Sequence, residues 1–153
     1  VPDAPERPAP LDAYEFSADP DRLDHARTYE LLVRYTPWAA DRPRATQDAA
    51  VAASRSYAVF ERASGQQVAY GRVVTDAVTF AWLADVVVDP AHRGRGLGRL
   101  LVEGVVGDLD PLDLVRIALK ASDEGRPLYE RLGWHVVERA EAWMERPRPV
   151  PPA

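Results

Sequence analysis

The 153 residues contain no cysteine. That absence removes disulfide frameworks, thiolate metal sites and any cysteine nucleophile together, and it leaves the redox compartment open. No apolar run approaches the roughly 20 residues a membrane-spanning helix needs. No signal-peptide pattern is visible either, so a cytoplasmic location and no membrane partner are the expectation. Positive charge is not in excess. A formal net charge of −5 argues against a general nucleic-acid binder, whose affinity comes from many cationic contacts. His25, His92 and His135 are scattered without ligand spacing, so no metal site is expected. What is present is 46% apolar and 28% charged residues, the composition of an ordinary soluble globular protein, in a chain long enough to bury a core.

Proline concentrates at the two ends. Residues 1–10 and 147–153 read as poorly ordered tails, which leaves one domain over 11–146. Ala13 to Ser17 is a short strand candidate. Asp19-Pro20 predicts a helix start, with Leu23, Ala26, Leu31 and Arg34 following at helical spacing and Pro37 ending it. A second helix is predicted from Pro43 to about Ser54. Tyr57–Arg62, a Ser64-Gly65 turn and Val68–Thr75 predict a hairpin. Val78–Asp89 is nearly continuous apolar sequence at its end, which predicts a strand in the sheet centre, buried on both faces. Leu97, Leu100, Leu101 and Val105 place one apolar stripe on a helix. Leu114–Leu119 is another strand, and Pro127–Leu132 a short helix ended by Gly133. Two last strands are predicted near Trp134–Glu138 and Ala142–Glu145. The expected class is α+β, with a mixed sheet, a helical crossover and so at least one parallel strand pair.

The most informative run is Val86-Val87-Val88-Asp89-Pro90-Ala91-His92-Arg93-Gly94-Arg95-Gly96-Leu97-Gly98-Arg99. A β-branched strand leads into a glycine-arginine turn and then directly into an amphipathic helix. That order puts backbone N–H groups, with no Cβ in the way, at a helix N-terminus, a place suited to phosphate. The Walker pattern is absent. The glycines are spaced G-x-G-x-G, so the dinucleotide fingerprint is not met either. What remains is R-x-x-G-x-G, from Arg93 through Gly96 to Gly98.

This run resembles the acetyl-CoA-binding motif of the GNAT N-acetyltransferase superfamily. Ala121 to Trp134, with Leu128-Tyr129-Glu130-Arg131-Leu132-Gly133-Trp134, is similar to the family's later motif, a helix carrying "LYxxxGF" just before a strand. The element order also matches. Trp134 stands where Phe is usual, and Ser122-Asp123 stand where many members place Asn. The resemblance covers about residues 13–146. It implies a three-layer fold whose splayed, mostly antiparallel sheet has about 6–7 strands, with about 4 helices.

It also implies a reaction: transfer of acetyl from acetyl-CoA to a primary amine, small molecule or lysine, by direct attack in a ternary complex. Arg93, Gly94, Arg95, Gly96, Leu97, Gly98 and Arg99 are then the pyrophosphate site; for Arg99 a surface helix arginine is an equal reading. Val86, Val87 and Val88 pair with the pantetheine arm like an added strand, Ser122 is a further contact, and a backbone N–H at Val86 or Val87 polarises the thioester carbonyl. Tyr129 matches the family's general acid for the leaving thiolate. Asp85, a carboxylate in an apolar strand, is a candidate base if burial raises its pKa, with a structural hydrogen-bonding role as the alternative. Trp82 falls nearer the place where some relatives carry a catalytic glutamate. Trp38, Phe80, Trp82 and Trp143 are acceptor-side candidates, and with Asp41, Glu138 and Glu141 they would suit an amine or cation. The resemblance also allows a homodimer. The rival readings are a non-catalytic CoA-binding sensor or docking module, and a small nucleic-acid-binding domain, which the acidic charge disfavours.

Overall fold

Residues 10–152 are described by the computed structural model. Residues 1–9 of the expected N-terminal tail, and Ala153, lie outside the described residues. The β-branched and aromatic segments pair into a five-stranded sheet in sequence order. β1 (Tyr14–Ser17), β2 (Arg55–Glu61), β3 (Gln67–Thr75) and β4 (Phe80–Val88) run antiparallel, each to the next. β5 (Arg116–Leu119) runs parallel to β4. A parallel neighbour needs a crossover, and α3 (Leu97–Leu109) supplies it.

The predicted helix from Pro20 divides in two. Asp19 caps only a 3₁₀ turn, Pro20–Arg22, by accepting from the Asp21 N–H. Leu23 is then extended and buried, and Asp24 caps a fresh helix, α1 (His25–Tyr35), by accepting from the Arg27 N–H. Two acidic caps five residues apart start two elements, each satisfying donors its first turn would leave open. α2 (Arg44–Ala52) begins after Pro43, as the proline predicts.

The side chains of β3 alternate between two cores. Tyr70 packs with Leu31, Leu32, Ala39, Val51 and Val87 on the side of α1 and α2. Gly71 faces the opposite way, where a Cβ would touch Leu101 at 3.5 Å. There α3 buries Leu97, Leu101, Val102, Val105 and Leu109. Its Gly104 lets the helix approach β1: a Cβ at that position would lie 2.5 Å from the Phe16 ring, and Phe16 is itself stacked on Tyr57. Gly104→Ala is therefore expected to lower Tm, because an overpacking cost of about 1–3 kcal/mol exceeds the roughly 1 kcal/mol of helix propensity gained. Thermal unfolding checks this, and an unchanged Tm would mean that the ring moves aside freely.

The contacts within the chain divide it after Lys120 into two compact units. The second contains α4 (Arg126–Arg131) and a 3₁₀ turn at Ala140–Ala142. The two strands predicted near Trp134–Glu138 and Ala142–Glu145 are not formed. Arg139 takes a left-handed conformation (φ +53°) that turns the chain between them, and Val136 is left exposed. A strand needs a paired edge as well as suitable residues. The described sheet therefore has five strands rather than 6–7.

Candidate active site

β4 carries the central irregularity of the fold. Arg72 of β3 pairs with Ala84, but Tyr70 pairs with Val87, so Asp85 and Val86 together oppose Gly71. This is a β-bulge, and Asp85 absorbs it in the left-handed region at φ +56°. One extra residue exchanges the two faces. Before the bulge, Ala81 and Leu83 are buried while Phe80 and Trp82, on the α1/α2 side, are half-buried. After it, Val87 enters the α1/α2 core and Val86 turns toward Leu101. The expected burial of β4 on both faces in the sheet centre is thus corrected. The strand lies one place from the edge and each half buries one face.

The two parallel strands also part company. Pairing of β4 with β5 runs from Phe80↔Arg116 to Leu83↔Leu119 and stops there, while β4 continues to Val88. The Asp89 N–H donates to Val68 O on β3, and strand backbones alternate direction. Val87 therefore faces β3 as well, and the N–H and C=O groups of Val86 and Val88 face the side where β5 has diverged. A short strand edge that no described strand pairs results, of the kind that accepts an extended, amide-bearing chain, with the Val88 carbonyl already accepting from Arg93 Nε.

That edge leads through a 3₁₀ turn, Pro90–His92, into the glycine-arginine turn. Asp89 accepts from the Ala91 N–H and pairs with Arg27 of α1, which fixes where the turn begins. Gly94 and Gly96 have φ of +74° and +80°, and nothing lies within 4 Å of a Cβ built on Gly94. Gly96 is the N-cap of α3 and provides no side-chain cap. The first-turn amides of a helix have no intrahelical acceptor, so here they point, with the positive end of the helix dipole, into an uncrowded turn. Such a cradle suits an anionic group. Leu97 can contribute only its backbone, because its side chain is in the core.

The arginines of the turn divide in their roles. Arg93 is exposed and its Nε donates to Val88 O at 3.3 Å. Arg95 is directed inward, donating to the Tyr14 hydroxyl at 2.6 Å. Tyr14 is in turn 2.9 Å from His92 Nδ1. A guanidinium only donates, so the hydroxyl accepts from Arg95 while it also bonds the imidazole. Arg99 lies 65% exposed in an i,i+4 pair with Glu103, the surface-arginine arrangement.

Asp85 is where the chemistry departs from expectation. Its side chain is only 3% exposed. Burial pushes its pKa up, but hydrogen bonds from Arg42 and Arg72, and their charges, outweigh burial and hold the carboxyl below the ordinary carboxylate value. Arg42 donates through both terminal nitrogens (2.6 and 3.1 Å), Arg72 through Nε (2.7 Å) and Trp38 through Nε1 (3.1 Å). The expectation that burial would leave Asp85 a usefully raised pKa is corrected, because two guanidiniums stabilise the anion. Neither arginine was singled out in the sequence. Arg72 had one available signal, a charge inside the strand Val68–Thr75 opposite another in the next strand. Arg42 had none.

Of the acceptor-side candidates, Trp38 is joined to Asp85 and is 51% exposed. Phe80 and Trp82 share the α1/α2 side of β4 with Arg72, since Trp82 pairs with Val74 and Ala84 with Arg72. Asp41 is exposed beside Arg42 in sequence.

The second unit holds the remaining candidates. Tyr129 is buried, its phenol pushed up to about 12 by burial, and its ring meets Trp134 edge-on at 5.9 Å. Ser122 Oγ accepts from the Gly125 N–H at 3.1 Å, so it shapes the start of α4. Trp143, Glu138 and Glu141 follow on turn backbone and are exposed.

Comparison with known proteins bears on the family and the fold. The sequence profile of the acetyltransferase (GNAT) domain matches residues 53–136. A crystal structure from Xanthomonas campestris pv. campestris, of a protein assigned to the GNAT family, superposes with a TM-score of 0.80 at 37% identity, over 89% of this chain and 94% of that one. Serotonin N-acetyltransferase 2, chloroplastic, of Oryza sativa subsp. japonica is 39% identical over 46% of this chain and 36% of its own length. Glucosamine 6-phosphate N-acetyltransferase of Trypanosoma brucei brucei is 37% identical over 37% of this chain and 39% of its own. The matched stretch thus spans less than half of either curated relative. With the profile covering more than half of the sequence, the chain belongs to the GNAT acetyltransferase family.

Proposed function

We propose that the chain transfers an acetyl group from acetyl-CoA to a primary amine by direct attack within a ternary complex. The observation that carries this reading is the continuity of two features. The edge of β4 at Val86 and Val88, left unpaired by β5, is joined to the uncapped amides of α3 by a 3₁₀ turn at Pro90–His92 and the glycine-arginine turn. One extended ligand with amides at one end and a pyrophosphate at the other would engage both.

In this reading Arg93 and the amides from Gly94 to Gly98 hold the pyrophosphate, and Arg95 holds the turn in shape through Tyr14. The Val86 N–H donates to the thioester oxygen as the carbonyl carbon becomes tetrahedral, the stage at which such a bond is worth most. The amine nitrogen forms the new C–N bond and the C–S bond breaks. Tyr129 gives its proton to the departing sulfur, and its high pKa keeps that proton in place until it is needed. An alkyl ammonium with a pKa of about 10.4 must first lose a proton. Asp85 does not take it, since its lone pairs are occupied by Arg42, Arg72 and Trp38. A water chain or another side chain is left to accept it, and Asp85 serves as a positioning residue that keeps the bulge.

The test is incubation with acetyl-CoA and a panel of primary amines, following free thiol release and the acetylated product by mass. Stoichiometric thiol and acetyl-amine support the reading. Binding of acetyl-CoA with no product from any amine would favour the sensor alternative.

A further inference from the structure

We infer that the acceptor carries an anionic group, a carboxylate or a phosphate, close to its amine, and that Arg72 and Arg42 recognise that group. The inference rests on the acetyl-transfer reading for its amine and on the cluster around Asp85 for its anion.

The argument is one of hydrogen-bond valence and charge. Asp85 Oδ1 accepts from Trp38 Nε1 and an Arg42 nitrogen; Oδ2 accepts from Arg42 and Arg72. A carboxylate offers about four lone-pair sites, so Asp85 has none left for an ammonium. Gln47 Oε1 is taken by Arg42. Ser54 Oγ accepts from Arg72 and donates to Ala50 O. The Tyr70 and Ser56 hydroxyls are joined to each other. No strong side-chain acceptor in the cluster is free.

Donors, in contrast, are in surplus. A guanidinium has five N–H bonds. Arg72 uses one through Nε and one through a terminal nitrogen, which leaves three. Arg42 keeps its Nε–H and one terminal N–H. The buried Gln47 Nε2 has no acceptor at all. Two guanidiniums against one carboxylate leave a charge of +1, and both are mostly buried, with side chains 19% and 17% exposed. Charge in that setting is poorly screened and favours an anion.

The place suits an acceptor. Asp85 and Val86 are the two residues of the bulge, so the guanidiniums are fixed to the residue next to the proposed oxyanion donor. The half-exposed Trp38 is bonded to the same carboxylate and offers an apolar wall. A polyamine or other multiply cationic acceptor would meet the wrong charge here. This replaces the expectation, drawn from Asp41, Glu138 and Glu141, of a cation-binding acceptor side.

The experiment uses matched amines with acetyl-CoA. One series is an α-amino acid, its amide and its decarboxylated amine. The other is an amino sugar with and without a phosphate ester. The two series separate a carboxylate source from a phosphate source. In at least one, kcat/KM for the anionic member should exceed its uncharged twin by about tenfold or more, the worth of a charge-assisted hydrogen bond. Arg72→Gln should bring that ratio to near unity, and Arg72→Lys should retain part of it. Thermal unfolding of each variant separates lost recognition from lost fold. Calorimetric titration of the same twins into the chain reads the anion site without turnover, so a failure of acetyl-CoA to bind would end the donor reading alone. Equal or better use of the neutral or cationic twins, or no calorimetric preference for the anionic ones, would overturn the inference.

Discussion

Asp85→Ala is expected to lower Tm by roughly 6–20 °C. Removing one member of a buried charge cluster costs about 3–5 kcal/mol, and a domain of this size loses about 2–4 °C per kcal/mol. The cost arises because Arg42 and Arg72, which both donate to this carboxylate, would be left mostly buried with only Gln47, Ser54 and water. Asp85→Asn keeps the volume but loses the charge and two acceptor sites, so it should fall between Ala and the parent. Acid unfolding carries the same signature. The folded pKa of Asp85 is depressed, so its contribution is complete above the unfolded value of about 3.9 and is lost as pH falls through the lower folded value. The parent should therefore lose more stability than Asp85→Ala over that acid range. Melting both between pH 7 and pH 3 checks the sign, and parallel curves would remove the ion cluster from the account.

Tyr129→Phe is expected to lower kcat by about 100-fold or more, within the range of general acid catalysis. Tm should change little, since among the described residues the hydroxyl makes no hydrogen bond that holds α4 together, and the ring contact with Trp134 survives in Phe. The pH profile adds a second reading. With the phenol pushed up to about 12, the acid stays protonated throughout the usable range. Activity should rise with pH as more acceptor amine is free and show no descending limb below about pH 10 from this group. A kcat for Tyr129→Phe within twofold of the parent would take the residue out of the mechanism.

Much of this was legible in the residues. The run from Val86 to Arg99 set strand, turn and helix in one register, and Gly94 and Gly96 do occupy the left-handed conformations that such a turn requires. The hairpin, the crossover helix and the short helix at Tyr129 follow from local pattern. Other features depend on distance in sequence. Arg42 meets Asp85 across 43 positions, and Tyr14 meets Arg95 across 81; no local periodicity encodes either pair. The bulge at Asp85 was hidden because burial along β4 alternates without a break, even though the buried face changes midway. The last two predicted strands failed for a related reason: Trp134–Glu138 has strand-like residues, but strand formation is decided by a partner edge.

The central claim of the proposed function is that the edge of β4 left unpaired by β5 and the N-terminus of α3 together hold acetyl-CoA, through its pantetheine amides and its pyrophosphate. The most direct test is thermal unfolding at matched concentrations of acetyl-CoA and S-acetylpantetheine, which keeps the thioester and amides but lacks the diphosphate. Acetyl-CoA should raise Tm in a concentration-dependent way, S-acetylpantetheine should do so far less, and Gly96→Val, which places a branched residue at φ +80°, should abolish most of the difference. Equal shifts from the two ligands, or none from acetyl-CoA, would contradict the claim.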